Sequence, residues 1–67
     1  MFDTYIIEID DTAAGILVKS DRAFAFHALE RSFSVLEGML FPDAIAAERA
    51  ARKVRRGAPA RFAAAGG

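Results

Sequence analysis

Cysteine and tryptophan are absent from the 67 residues, and histidine occurs once. The first absence excludes disulfide staples, a thiolate nucleophile, and the zinc and iron–sulfur centres built on cysteine. With a single histidine, any imidazole-based acid–base scheme must run through His27. Long apolar runs are missing too, since none approaches the roughly 18 residues that a membrane-spanning helix needs. Met1-Phe2-Asp3-Thr4 has neither the basic start nor the apolar stretch of a signal peptide, so the expected location is cytoplasmic. No acid follows Glu48. All nine lie between Met1 and Glu48 with Lys19, Arg22 and Arg31, whereas Arg49 to Gly67 holds six bases, so a chain of zero formal charge is acidic first and basic last.

What is present suffices to fold. Apolar residues make up 54% and charged residues 27%, the proportions of a globular chain and not of a disordered one. A chain this short hides only about 60% of the surface its extended form exposes, which leaves room for one compact core. Burial of a surface between two copies commonly supplements so small a core, and a homodimer or another protein partner is therefore expected.

From Thr4 to Ile9 the residues alternate, with Tyr5, Ile7 and Ile9 on one face and Thr4, Ile6 and Glu8 on the other. Asp10-Asp11-Thr12 supplies a turn, and Ala14 to Lys19 reads as a second strand with Ile16 and Val18 on the bulky side. After Ser20-Asp21-Arg22, Ala23 to Ala28 alternates small and aromatic residues and sets Phe24 beside Phe26. The expected fold is thus α+β: a three-stranded antiparallel meander (4–9, 14–19, 23–28) packed on one C-terminal helix. Ser34 to Glu37 has capping-box spacing and predicts a single helical turn ended by Gly38. Met39-Leu40-Phe41 follows as an apolar connector or a very short fourth strand. Pro42 and Asp43 signal a helix start, and residues 43–56 favour helix, with Ala44, Ala47, Ala50, Ala51 and Val54 on one side. Residues 1–56 form the single domain of this reading, and 57–67, rich in alanine and glycine, a flexible tail.

The polar residues do not assemble into a recognisable catalytic set. His27 has Glu8 as a carboxylate partner across the sheet but no nucleophile, and reads as a structural histidine. Asp10, Asp11 and Asp21 lie in two separate turns and read as turn formers, not as metal ligands. Gly15 sits within a strand without a phosphate-binding loop, and a bulge or close packing accounts for it. No enzyme activity, cofactor or small-molecule ligand is predicted.

Two surfaces carry functional promise. Arg49, Arg52, Lys53, Arg55 and Arg56 cluster at the helix end, with Arg61 beyond, and could contact a phosphate backbone; equally, bases there complement the helix dipole and keep the outer face charged. The sheet face away from the helix is read as Thr4, Ile6, Glu8, Gly15, Leu17, Lys19, Ala23, Ala25 and His27. Its small, apolar middle suits pairing with a second copy through Ile6, Leu17, Ala23, Ala25 and His27. The leading expectation is a non-enzymatic accessory or protein-interaction domain, self-associating; the alternative is a nucleic-acid-binding module using the basic helix end.

Three strands followed by a helix carrying Ala47-Glu48-Arg49-Ala50-Ala51 resemble the DNA-binding modules of the plant AP2 type and the arm-binding amino ends of phage integrases. In those families arginines and aromatics on the open sheet face read DNA, where this chain offers Glu8, Leu17, Ala23 and Ala25. Ala14-Gly15-Ile16, Phe24 with Phe26, Leu36-Glu37-Gly38, Phe41 and the Ala-rich helix together resemble short uncharacterised bacterial proteins, which implies a fold and no activity.

Overall fold

The computed structural model describes residues 3–55 and the backbone of residues 60–64. Strand β1 (Thr4–Ile9) passes through Asp10 and Asp11, at φ 54° and 60°, into β2 (Thr12–Ser20). Two consecutive left-handed residues make the tight turn whose twist suits a hairpin, and aspartate tolerates that conformation better than most residues. A second two-residue loop, with Asp21 at φ 59°, leads to β3 (Ala23–Ala28).

A 3-10 helix follows at Arg31–Leu36, longer than the single turn expected and beginning three residues earlier. Phe33 and Leu36 anchor it in the core. Gly38 then turns the chain at φ 80°, a conformation that costs glycine little. Its N–H donates to the Phe26 carbonyl, the Phe26 N–H donates to the Met39 carbonyl, and the two-residue strand β4 (Leu40–Phe41) pairs with β3. Of the two candidates for the core, Phe41 enters it, while Leu40 stays 63% exposed.

Helix α1 (Ala44–Val54) is capped by Asp43, whose carboxylate accepts from the Ala46 N–H at 2.8 Å. Pro42 precedes the cap instead of occupying the first turn. Ala44, Ala47 and Ala51 are buried and bring the helix close over one sheet face, against Ile7, Ile9, Leu17, Phe26, Phe33, Leu36 and Phe41. Edge-on ring pairs, Tyr5 with Phe24 at 5.7 Å and Phe26 with Phe41 at 6.3 Å, extend along this face. Among the described residues no buried side-chain nitrogen or oxygen lacks a partner.

Residues 60–64, expected within a flexible tail, form β5 (Ala60–Ala64), antiparallel to β1. Unpaired, β1 would present an open row of N–H and C=O groups, and Ala60 to Ala64 contains no proline or glycine to prevent pairing. The sheet order is β4-β3-β2-β1-β5, so the helix carries the chain from one sheet edge to the other. Residues 56–59 and 65–67, with Arg56 and the terminal diglycine, lie outside the described residues.

One strand faces the opposite way from its expected orientation. Ile7 pairs with Gly15 but Glu8 pairs with Ala13, so Ala14 is an extra residue in β2, a β-bulge. Beyond a bulge every side chain of the strand changes face. Leu17 is consequently opposite Tyr5 and Phe26 and wholly buried, whereas Ile16 and Val18 turn to the open face. Gly15 likewise lies on the covered side, buried beneath the Phe26 ring.

Candidate interaction surface

The helix covers one face of the sheet and leaves the other open among the described residues. Register defines that open face in two rows. Thr4, Val18, Ala25 and Leu40 form one across β1, β2, β3 and β4; Ile6, Ile16 and His27 form the next, with Ala63 as the β5 partner of Ile6. Glu8 lies beyond, toward the first hairpin, opposite Arg61. Val18 is 39% exposed, and Ile6, Ile16 and Ala25 are half-buried without packing against the core. Two rows of mainly β-branched and aliphatic side chains thus meet solvent where alternation ordinarily places polar ones.

Of the residues expected to pair with a second copy, Ile6, Ala23, Ala25 and His27 do share this face. Leu17 does not: the bulge at Ala14 sends it into the core, where it is 0% exposed. Ile16, Val18 and Leu40 belong to the surface in its place. Nothing in their residue types announced this, because isoleucine and valine are ordinary core residues; only the register distinguishes them.

His27 closes one corner. Its partner is Glu37, not Glu8: His27 Nδ1 lies 3.2 Å from Glu37 Oε2, which requires the hydrogen on Nδ1, and the Ala28 N–H donates to Glu37 Oε1 at 2.7 Å. Glu37 therefore ties the end of the 3-10 helix to β3 and does not cap Ser34, whose carbonyl accepts from the Glu37 N–H. Both side chains are about half exposed, at 53% and 51%, a hydrogen-bonded pair in contact with water that fixes the loop against β3.

The basic helix end divides in the fold. Arg49, Arg52 and Lys53 are exposed on the outer side of α1, beside exposed Ile45. Arg52 pairs with Glu48 at 2.9 Å, one helical turn away. Arg55 points elsewhere, reaching Asp10 of the first hairpin at 3.4 Å. The structure thus groups three of the five predicted phosphate-contacting residues, assigns Arg55 to an internal pair, and does not describe Arg56.

Asp10, Asp11 and Asp21 occupy the two hairpin loops, and among the described residues no group of three His, Asp or Glu side chains could hold a metal ion. No described helix is long and apolar enough to cross a membrane. Comparison of the chain with protein-family models, curated proteins and solved structures finds no match.

Proposed function

We propose that this chain is a non-enzymatic interaction domain whose open sheet face meets a protein surface. The observation that carries the reading is the convergence of Ile6, Ile16, Val18, Ala25 and Leu40 on one uncovered face. Exposed apolar side chains scattered singly have no special meaning, but a contiguous set drawn from four strands exposes apolar area that a partner would remove from water. The polar residues support the same reading, since Asp43 caps the helix, Glu37 ties a loop to β3, and Glu48–Arg52 and Asp10–Arg55 are surface ion pairs. Catalysis needs convergent groups around a reacting atom, whereas the Glu37 carboxylate is engaged in tying its loop to β3 through His27 and the Ala28 N–H.

Nucleic-acid binding is the alternative that Arg49, Arg52 and Lys53 keep in view, and salt separates the two. Sedimentation of the purified chain with a mixed-sequence nucleic acid, at low and moderate salt, is the test. The expected result is no comigration at either salt. A complex that weakens steeply with salt and disappears when Arg49, Arg52 and Lys53 become glutamine would overturn the reading in favour of a phosphate-backbone binder.

A further inference from the structure

We infer that the occupant of the open sheet face is a second copy of this chain, paired face to face about a two-fold axis. This rests on the reading of that face as an interaction surface and adds the partner. The two central rows, Thr4, Val18, Ala25 and Leu40, then Ile6 and Ile16, hold no formal charge; His27 with Glu37 and Glu8 with Arg61 stand at the margins. A strongly acidic or basic partner finds nothing to neutralise in the middle of such a face. A second copy presents the same uncharged middle, and two-fold pairing sets like patches together.

Five strands of six, nine, six, two and five residues, rising about 3.3 Å per residue and spaced about 4.8 Å apart, give a footprint on the order of 450 Å² before side-chain relief is counted. A specific interface takes about 800 Å² from each partner, and weaker encounters take less. The face is therefore large enough for a pair at the small end of that range and too small for an obligate one. Its size matches a chain whose core already closes on itself: Ile7, Ile9, Leu17, Phe26 and Phe33 are fully buried within the single copy. The consequence is a weak, concentration-dependent dimer of two folded chains, in which two sheets stack about 10 Å apart. Apolar pairing of this kind does not weaken as salt rises.

Analytical ultracentrifugation from about 10 μM to about 1 mM chain covers the dissociation constants that a small interface gives. The expected result is a monomer–dimer equilibrium of equal strength at low and moderate salt. Val18→Lys places an ammonium in the pair twice and is expected to raise the dissociation constant about 100-fold, tenfold for each copy. Ile45→Lys, on the outer side of the helix, is expected to leave it unchanged. Both sites are solvent-exposed in the single chain, and unchanged circular dichroism melts confirm that the variants fold.

A chain that stays monomeric throughout, or a dimer indifferent to Val18→Lys, overturns the inference. A photo-crosslinking residue at position 18, compared with one at position 45, then separates this failure from that of the parent reading. Crosslinking in cells from position 18 alone to a different protein overturns the second-copy inference and keeps the face as an interaction surface. Absence of any crosslink at position 18 overturns both.

Discussion

Gly15 is the position at which one methyl group should do most damage. A Cβ there would lie 2.3 and 2.5 Å from Cζ and Cε1 of Phe26, and 2.8 Å from the His27 carbonyl oxygen. Phe26 is fully buried and has Phe41 edge-on beside it, so its ring has little room to retreat the roughly 1 Å that ordinary contact demands in a close-packed interior. His27 belongs to β3, whose ladder with β2 holds its carbonyl in place. Overpacking of this kind costs about 1–3 kcal/mol, and the smaller entropy of an unfolded chain with alanine returns about 0.4–1 kcal/mol. The expected net loss for Gly15→Ala is about 1.3 kcal/mol. At about 4–8 °C per kcal/mol for a chain of this size, the melting temperature should fall by roughly 5–10 °C.

Thermal and urea unfolding followed by circular dichroism measure this directly. A companion variant identifies the cause. Phe26→Leu removes the ring atoms nearest the new Cβ, so the loss in the Gly15→Ala, Phe26→Leu pair should fall short of the sum of the single losses by about 1 kcal/mol or more. A Gly15→Ala melting temperature within about 2 °C of the parent, or additivity in the pair, would refute the account of why glycine occupies this site.

The bulge makes adjacent residues of β2 respond oppositely: Leu17→Ala should destabilise by about 2–5 kcal/mol, while Val18→Thr, β-branched and exposed, should stay within about 0.5 kcal/mol in the same urea titration. Asp43→Ala should cost about 1 kcal/mol through loss of the helix cap, and Asp43→Asn, which keeps an acceptor for the Ala46 N–H, should recover most of it when melting temperatures are compared.

The limits of β1 and β3 and the position of the helix were legible because each depends on local chemistry, whereas β2 begins at Thr12, inside the expected turn, and runs to Ser20. Alternation from Thr4 to Ile9 and from Ala23 to Ala28, and the Asp43 signal before an alanine-rich run, need no tertiary information. The facing of β2 was not legible from that strand alone. With a two-residue turn at Asp10-Asp11 and a regular ladder, Ile16 would share the face of Tyr5, which is the expectation its residue type encourages. One extra residue at Ala14 reverses this. Two clues bore on it. Gly15 marks the place where a bulge is cheap, and a two-residue loop at Asp21-Arg22 sets Leu17 opposite Phe26, so Phe26 cannot be core unless Leu17 is core too. Both required the strands to be read jointly, because register is a property of the pair. The position of β5 was hidden for a related reason: five residues of low periodicity take their order from the open edge of β1, which lies some fifty residues earlier in the chain.

The same register decides how the two candidate surfaces relate. Helix α1 occupies the covered face, and Arg49, Arg52 and Lys53 project from the side of that helix turned away from the sheet. Val18, Ile16 and Ile6 lie on the other side of the sheet, so helix and sheet together separate the basic surface from the apolar one. A single flat partner cannot engage both, and their effects should be separable by substitution. Had Leu17 stayed on the open face, the core would have held Ile16 and Val18 in place of the side chain that lies between Tyr5 and Phe26, and β2 would have given the face one large aliphatic residue instead of two. The bulge thus exchanges one leucine, branched at Cγ, for two β-branched residues at the surface. Branched side chains have few rotamers to lose when an approaching surface fixes them, so Ile16 and Val18 suit a contact that forms between two already folded chains.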